Sequence, residues 1–265
     1  MTTTTNPQAA VTDREPSPRT GAVTVTQYSR RSIFAIWAAA ALPMGALSWI
    51  VAPALADGGG AESLVRPLLV CLTAGLIWQF VLALGLVGYE QRSLRWSRLR
   101  EALSLRSPRS PRTGRVGGRT WLVVIPLTVG FALHEVLHIP APLDRNFGEF
   151  MQSDVGKAMF DGSWGWFAVF MTMAVFNTIL GEELLFRGVL LPRMHGAFGD
   201  RDWVANGVLF AVYHLHSPWI MPTVLLVDTF VICYASKRYR STWIGIAVHS
   251  AQTLVIGLAL LALVL

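Results

Sequence analysis

The sequence predicts an all-α fold, a polytopic transmembrane helix bundle of about 7-8 spans, and three observations carry that class. Of the 265 residues, 53% are hydrophobic and only 14% are charged, whereas a soluble domain carries about 25% charged residues. Mostly apolar runs recur along the chain, and five of them reach the roughly 20 residues that a helix needs to cross the hydrocarbon core. Arginine and lysine crowd alternate loops between those runs.

The elements follow in order. Met1–Tyr28 is rich in Thr, Pro and Ala and holds no apolar run, so it is expected to be a disordered cytoplasmic tail. It lacks the charged start and apolar core of a signal peptide. Residues 29–265 are expected to form one transmembrane helical domain. Its spans are Ser32–Ala54, Pro67–Tyr89, Thr120–Ile139, Trp164–Leu191, Trp203–His216, Trp219–Ser236 and Thr242–Leu265. The fifth and sixth are short and meet at Ser217-Pro218, which suggests a tilted hairpin whose turn is sheltered by protein. Phe147–Met159 is a candidate eighth segment. Ser93–Leu105 reads as an amphipathic surface helix with Leu94, Leu99, Leu103 and Leu105 towards lipid. Ser107–Gly118 is a linker by its Pro, Gly and Ser content. The tryptophans Trp164, Trp166 and Trp219 sit at span ends, the usual place for interfacial anchors.

Orientation follows from the basic residues. Nine arginines (Arg92, Arg95, Arg98, Arg100, Arg106, Arg109, Arg112, Arg115 and Arg119) fall between the second and third spans. Arg14, Arg19, Arg30 and Arg31 precede the first span; Arg193 and Arg201 follow the fourth; Lys237, Arg238 and Arg240 follow the sixth. The alternate loops hold only Arg66, Arg145 and Lys157. The positive-inside rule then places the N-terminus in the cytoplasm of a plasma-membrane protein. The net charge of +6 is explained by anionic lipid headgroups beside these loops, so membrane lipids are the expected partners and nucleic acid is not. Cys71 and Cys233 lie in apolar runs and read as small core residues rather than disulfide or metal partners.

Ionisable residues inside spans are expensive, which makes each one a candidate functional residue. The fourth span carries Glu182, Glu183 and Arg187 in GEELLFRG; the fifth carries His214 in FAVYHLH; the sixth carries Asp228; the seventh carries His249 in IAVHSAQT. At 1.5 Å per residue, His249 lies roughly 10 Å, His214 roughly 16 Å, Glu183 roughly 15 Å and Asp228 roughly 12 Å from the cytoplasmic end. Four spans bring polar groups to one level, as a buried chamber open to the cytoplasm would require. Residues four apart share a helix face while neighbours point about 100° apart. Glu183 and Arg187 are therefore expected to pair, leaving Glu182 free to face a cavity, where a carboxylate in a low-dielectric setting suits general-base work. Asp228 is expected to pair with Arg187 across helices.

Glu182-Glu183-Leu-Leu-Phe-Arg187 resembles the EExxxR motif of the CPBP family, the CAAX proteases and bacteriocin-processing enzymes also called the Abi family. Phe210-Ala-Val-Tyr-His214 is similar to that family's FxxxH motif, and His249 stands where its HxxxN or HxxxD motif begins. The resemblance covers roughly residues 164–265. It implies an intramembrane endopeptidase that hydrolyses a peptide bond in a membrane-associated or lipidated substrate. By motif, Glu182 would activate the water with His214 helping to hold it, Glu183 and Arg187 would shape the site, and His249 would stabilise the oxyanion, a task often worth several kcal/mol. The family has been classed both as metalloprotease and as glutamate-dependent protease. Glu182, His214 and His249 are the candidate ligands if a zinc ion is bound with one open position. The third motif departs from the family, because Thr253 stands where Asn or Asp is usual; Thr253 or the neighbouring Gln252 could supply the missing hydrogen bond.

A rival pattern is His134-Glu135-Val-Leu-His138, which matches the HExxH spacing of zinc proteases. His138 sits roughly 27 Å from the cytoplasmic end and Pro140 follows closely, so this motif is expected to be interfacial, with a contribution to the outer wall of the same chamber as the alternative. The competing functional class is a non-catalytic membrane protein, such as a transporter, scaffold or bacteriocin-immunity factor.

Overall fold

The structure is a computed structural model that describes residues 25–137 and 139–265. The expected tail lies mostly outside the described residues; Gln27 and Tyr28, at its end, dock on the protein, with Tyr28 N–H donating to the Arg193 carbonyl at 2.9 Å and Gln27 Nε2 to the Pro192 carbonyl at 3.0 Å. His138 is likewise outside the described residues.

Ten helices organise the described residues. They are α1 (Arg30–Ala54), α2 (Ala61–Gln91), α3 (Trp96–Ala102), α4 (Gly118–Val136), α5 (Phe147–Gln152), α6 (Asp154–Phe160), α7 (Trp164–Arg193), α8 (Asp202–Tyr213), α9 (Pro218–Tyr239) and α10 (Thr242–Val264). No β-strand occurs among the described residues, only an isolated bridge between Arg109 and Val116 that closes the predicted linker. Six helices (α1, α2, α4, α7, α9 and α10) are long and apolar enough to cross a membrane. The chain is an all-α, multi-pass membrane protein.

Two expected spans are shorter than a crossing requires. α8 has 12 residues and continues only as a tight turn over His214–His216. Phe147–Met159 is not an eighth span but two short helices broken at Ser153, whose hydroxyl accepts from the Gly156 N–H to start α6.

In lipid, helices are held together by close packing rather than by burial from water. One packed cluster joins α1, α2, α7 and α8 through Ile33, Met44, Leu76, Phe186 and Phe210. A second, at the opposite end, joins α2, α5, α6, α7 and α10 through Leu69, Phe150, Phe160, Phe170 and Leu260. A smaller one ties α4 and α9 to α10 through Phe131, Val227 and Val248. The Ser93–Leu105 segment does not turn its leucines uniformly to lipid: Leu103 and Leu105 are buried in the protein, while Leu94 is exposed. Leu103 packs there because α7 offers Gly188 against it and Thr242 Oγ1 donates to its carbonyl at 2.7 Å.

A buried clamp holds the same end. Arg193 Nη2 donates to Glu90 Oε2 at 2.6 Å and Nε to Oε1 at 3.0 Å, while Nη1 donates to the Val189 carbonyl at 2.9 Å. The sequence reading assigns Arg193 to a basic loop; the structure buries it completely.

Candidate active site

Local winding of α7 positions the first group. The helix makes wide, i→i+5 turns over Phe176–Gly181 and again over Glu183–Leu190, a distortion that recurs at functional sites. Residues five apart are brought together by such turns. Asn177, with its amide nitrogen turned towards Glu182, donates to Oε1 at 3.0 Å and Oε2 at 3.1 Å. Gly181 permits the close approach of α7 to α2, since a Cβ there would lie 2.5 Å from the Phe176 carbonyl oxygen and 3.0 Å from that of Leu76.

Glu182 is only 2% exposed. Besides Asn177, it interacts with the Tyr213 hydroxyl, which in turn accepts from Gln79 Nε2 at 2.7 Å. A buried carboxylate needs such donors, and here they hold it in place from one side.

Glu183 points away from Glu182 into the protein. Its Oε1 lies 3.5 Å from Arg187 Nη1 and accepts from His249 Nδ1 at 3.1 Å. Arg187 stacks on Phe210 with its guanidinium carbon 3.8 Å from the ring centroid, a cation–π arrangement. Its Nη2 lies 3.8 Å from Asp228 Oδ1 and donates to Cys233 Sγ at 3.6 Å. Asp228 Oδ2 accepts from His134 Nε2 at 2.6 Å. One cation therefore sits between two buried carboxylates, each of which also has a histidine partner.

The two histidines are set by their Nδ1 atoms. His214 Nδ1 donates to the Phe210 carbonyl at 2.8 Å, leaving Nε2 with its lone pair as an acceptor. His249 Nδ1 donates to Glu183, so Nε2 is again the free nitrogen. In each case the partner fixes ring orientation.

These groups share one cavity of about 870 Å³, lined among others by Glu182, His214, His249, Asp228, His134 and Glu135. Glu183 and Arg187 do not line it and stand behind it. The cavity follows α10 from His249 to Leu263, a rise of about 21 Å. Asn146, Gln152 and Lys157 line its far portion. The cavity thus extends away from the end that carries Arg106, Arg238 and Arg240, opposite to the direction the depth argument anticipates.

The HEVLH segment contributes to the wall of the same chamber, the alternative to a purely interfacial place. His134 faces the cavity and binds Asp228 rather than standing at the interface alone. Glu135 Oε1 accepts from Gln252 Nε2 at 3.1 Å, which engages Gln252 away from Glu182. Thr253 is not part of the cavity wall. Among the described residues, no group of three or more His, Cys, Asp or Glu side chains is disposed to hold a metal ion.

Sequence reasoning passed over Asn177 and Tyr213. Asn177 carried a signal, being a polar amide within an apolar run; Tyr213 carried none beyond its place beside His214.

Residues 164–255 match the family model described as type II CAAX prenyl endopeptidase Rce1-like. No curated protein and no solved structure matches the chain.

Proposed function

From the premise that residues 164–255 form an Rce1-like domain, we propose that this protein is an intramembrane endopeptidase in which Glu182 activates the hydrolytic water. The observation that carries the reading is that Glu182, His214 and His249, all within that domain, line one cavity. A water between Glu182 and His214 gives one proton to the carboxylate and donates its other hydrogen to His214 Nε2. Its oxygen attacks the scissile carbonyl carbon. With both ring nitrogens protonated, His249 donates through Nε2 to the oxyanion while Glu183 balances the ring's charge, the preorganised arrangement that stabilises a developing negative charge. Glu182 then passes its proton to the leaving amine as the C–N bond breaks. Arg187 takes no proton; it neutralises Glu183 and Asp228 behind the site. No step passes through a metal.

The substrate is a peptide segment of a membrane-associated or membrane protein. The basic loops support a plasma-membrane orientation with the N-terminus in the cytoplasm. In that orientation the cavity reaches the catalytic level from the outer half of the bilayer.

The test is cleavage of a membrane-peptide library by the purified full chain, with helical content measured for every variant. Glu182→Gln is expected to lose about 100-fold or more in turnover, the scale of general-base catalysis, while staying folded. Glu135→Gln is expected to keep turnover near wild type. Loss of activity in Glu135→Gln alone would shift the chemistry to the HEVLH segment. A chelating agent in the same assay is expected to leave turnover unchanged, and abolition by the chelator would overturn the metal-free scheme.

A further inference from the structure

A second cavity, of about 670 Å³, lies at the arginine-rich end of the bundle between α7, α8, α9 and α10. Arg106, Lys237, Arg238 and Arg240 line it against two carboxylates, Asp200 and Asp202. Asp202 is already satisfied by Lys237, which also donates to the Asp200 carbonyl at 3.1 Å. Arg106, Arg238 and Arg240 are in no ion pair among the described residues, and Arg106 Nε donates only to the Arg240 carbonyl. Ser236 lies in the same wall with its hydroxyl buried and without a hydrogen-bond partner. A concave site with spare guanidinium donors and an unused buried hydroxyl is complementary to a phosphate oxygen cluster.

The surroundings are those of a lipid. Trp203 and Tyr234 meet edge to face at 5.1 Å beside the cavity, and Trp203 also meets Phe230 at 5.6 Å, the aromatic arrangement typical of a headgroup boundary. Below them the outer face of α8 and α9 exposes Val204, Val208, Leu226 and Phe230, an apolar track for an acyl chain. Basic pockets between transmembrane helices at the cytoplasmic side are suited to anionic headgroups.

We propose that this cavity binds the phosphate-bearing headgroup of an anionic lipid, whose chain descends along α8 and α9. The site is separate from the catalytic cavity and does not depend on the endopeptidase reading.

The detergent-solubilised full chain would be titrated with phosphatidylglycerol, with phosphatidylcholine of the same chains and with inorganic phosphate, bound lipid being counted by native mass spectrometry. Phosphatidylglycerol is expected to bind at one saturable site and phosphatidylcholine to bind far more weakly. Arg238→Ala/Arg240→Ala is expected to weaken phosphatidylglycerol by about thirty-fold, the loss that two cations near a headgroup predict. Both side chains are exposed, so the variant retains its fold. Arg112→Ala/Arg115→Ala, in the basic linker outside the cavity, is expected to leave binding unchanged. Equal weakening by the two double variants would reduce the effect to diffuse surface charge and overturn the proposal. Millimolar phosphate is expected not to displace the lipid; displacement would show a free-anion site instead and overturn the lipid assignment.

Discussion

Removing the cation behind the active site should unfold the protein more than it alters the chemistry. Arg187 lies 3.5 Å from Glu183 and 3.8 Å from Asp228, and all three side chains are almost fully buried. At an effective dielectric constant of about 20, each attraction amounts to about 4–5 kcal/mol. His249 and His134 remain as partners to the two carboxylates, so only part of that sum is lost. Breaking a buried pair by deleting one member typically costs about 3–5 kcal/mol, and Arg187→Met is expected in that range. The assay is denaturant unfolding of the purified protein in detergent, followed by helical signal. The triple variant Glu183→Gln/Arg187→Met/Asp228→Asn removes the stranded charges too. It is expected to recover much of the lost stability while remaining inactive, since His249 loses its acceptor. An Arg187→Met protein as stable as wild type would refute the view that this guanidinium neutralises two buried acids, and a triple variant less stable than the single would refute the charge argument in particular.

Further expectations concern packing and the clamp. Arg193→Ala strands Glu90 and should cost about 3–5 kcal/mol; Arg193→Lys should rescue little, because an ammonium cannot reproduce the forked contact, and full rescue in an unfolding experiment would contradict this. Gly245→Ala drives a methyl onto Glu183 Oε2 and to within 3.1 Å of Ile232; overpacking of this kind costs about 1–3 kcal/mol. It should also lower turnover by displacing Glu183 from His249, and unchanged stability with unchanged turnover would argue against that contact.

Much of the candidate site's geometry was legible from one rule, that charges within apolar runs must meet partners or a polar cavity. The rule found Glu182, Glu183, Arg187, His214, Asp228 and His249, and helical spacing separated Glu182, which lines the cavity, from the Glu183–Arg187 pair behind it. The partnership of Asp228 with Arg187 followed from charge alone. Its stronger contact with His134 did not, because which helix faces α9 is a tertiary fact that no local period encodes. Asn177 was hidden for a different reason. It lies five residues before Glu182, and only the wide turns of α7 bring that spacing onto one face. The amphipathic period of Ser93–Leu105 was legible, but an apolar stripe looks the same whether it meets lipid or protein, and Leu103 meets protein. Depth along a helix located the polar level well but carried no information on which way the void runs, since that depends on how the helices pack around α10.

The wall formed by α4 has a further consequence. One side of this helix, at Thr128, Phe131 and Ala132, lines the catalytic cavity, while Ile125, Val129 and Val136 on its other side are exposed. A single helix thickness therefore separates the groups that line the cavity from the surrounding bilayer. On the proposed reading, a substrate that slips past α4 arrives by sliding within the membrane plane and never dissolves in water. Its encounters are then counted per unit area, not per unit volume. Adding inert lipid to reconstituted vesicles, at fixed amounts of both proteins in the tube, would slow the reaction simply by spreading the two apart.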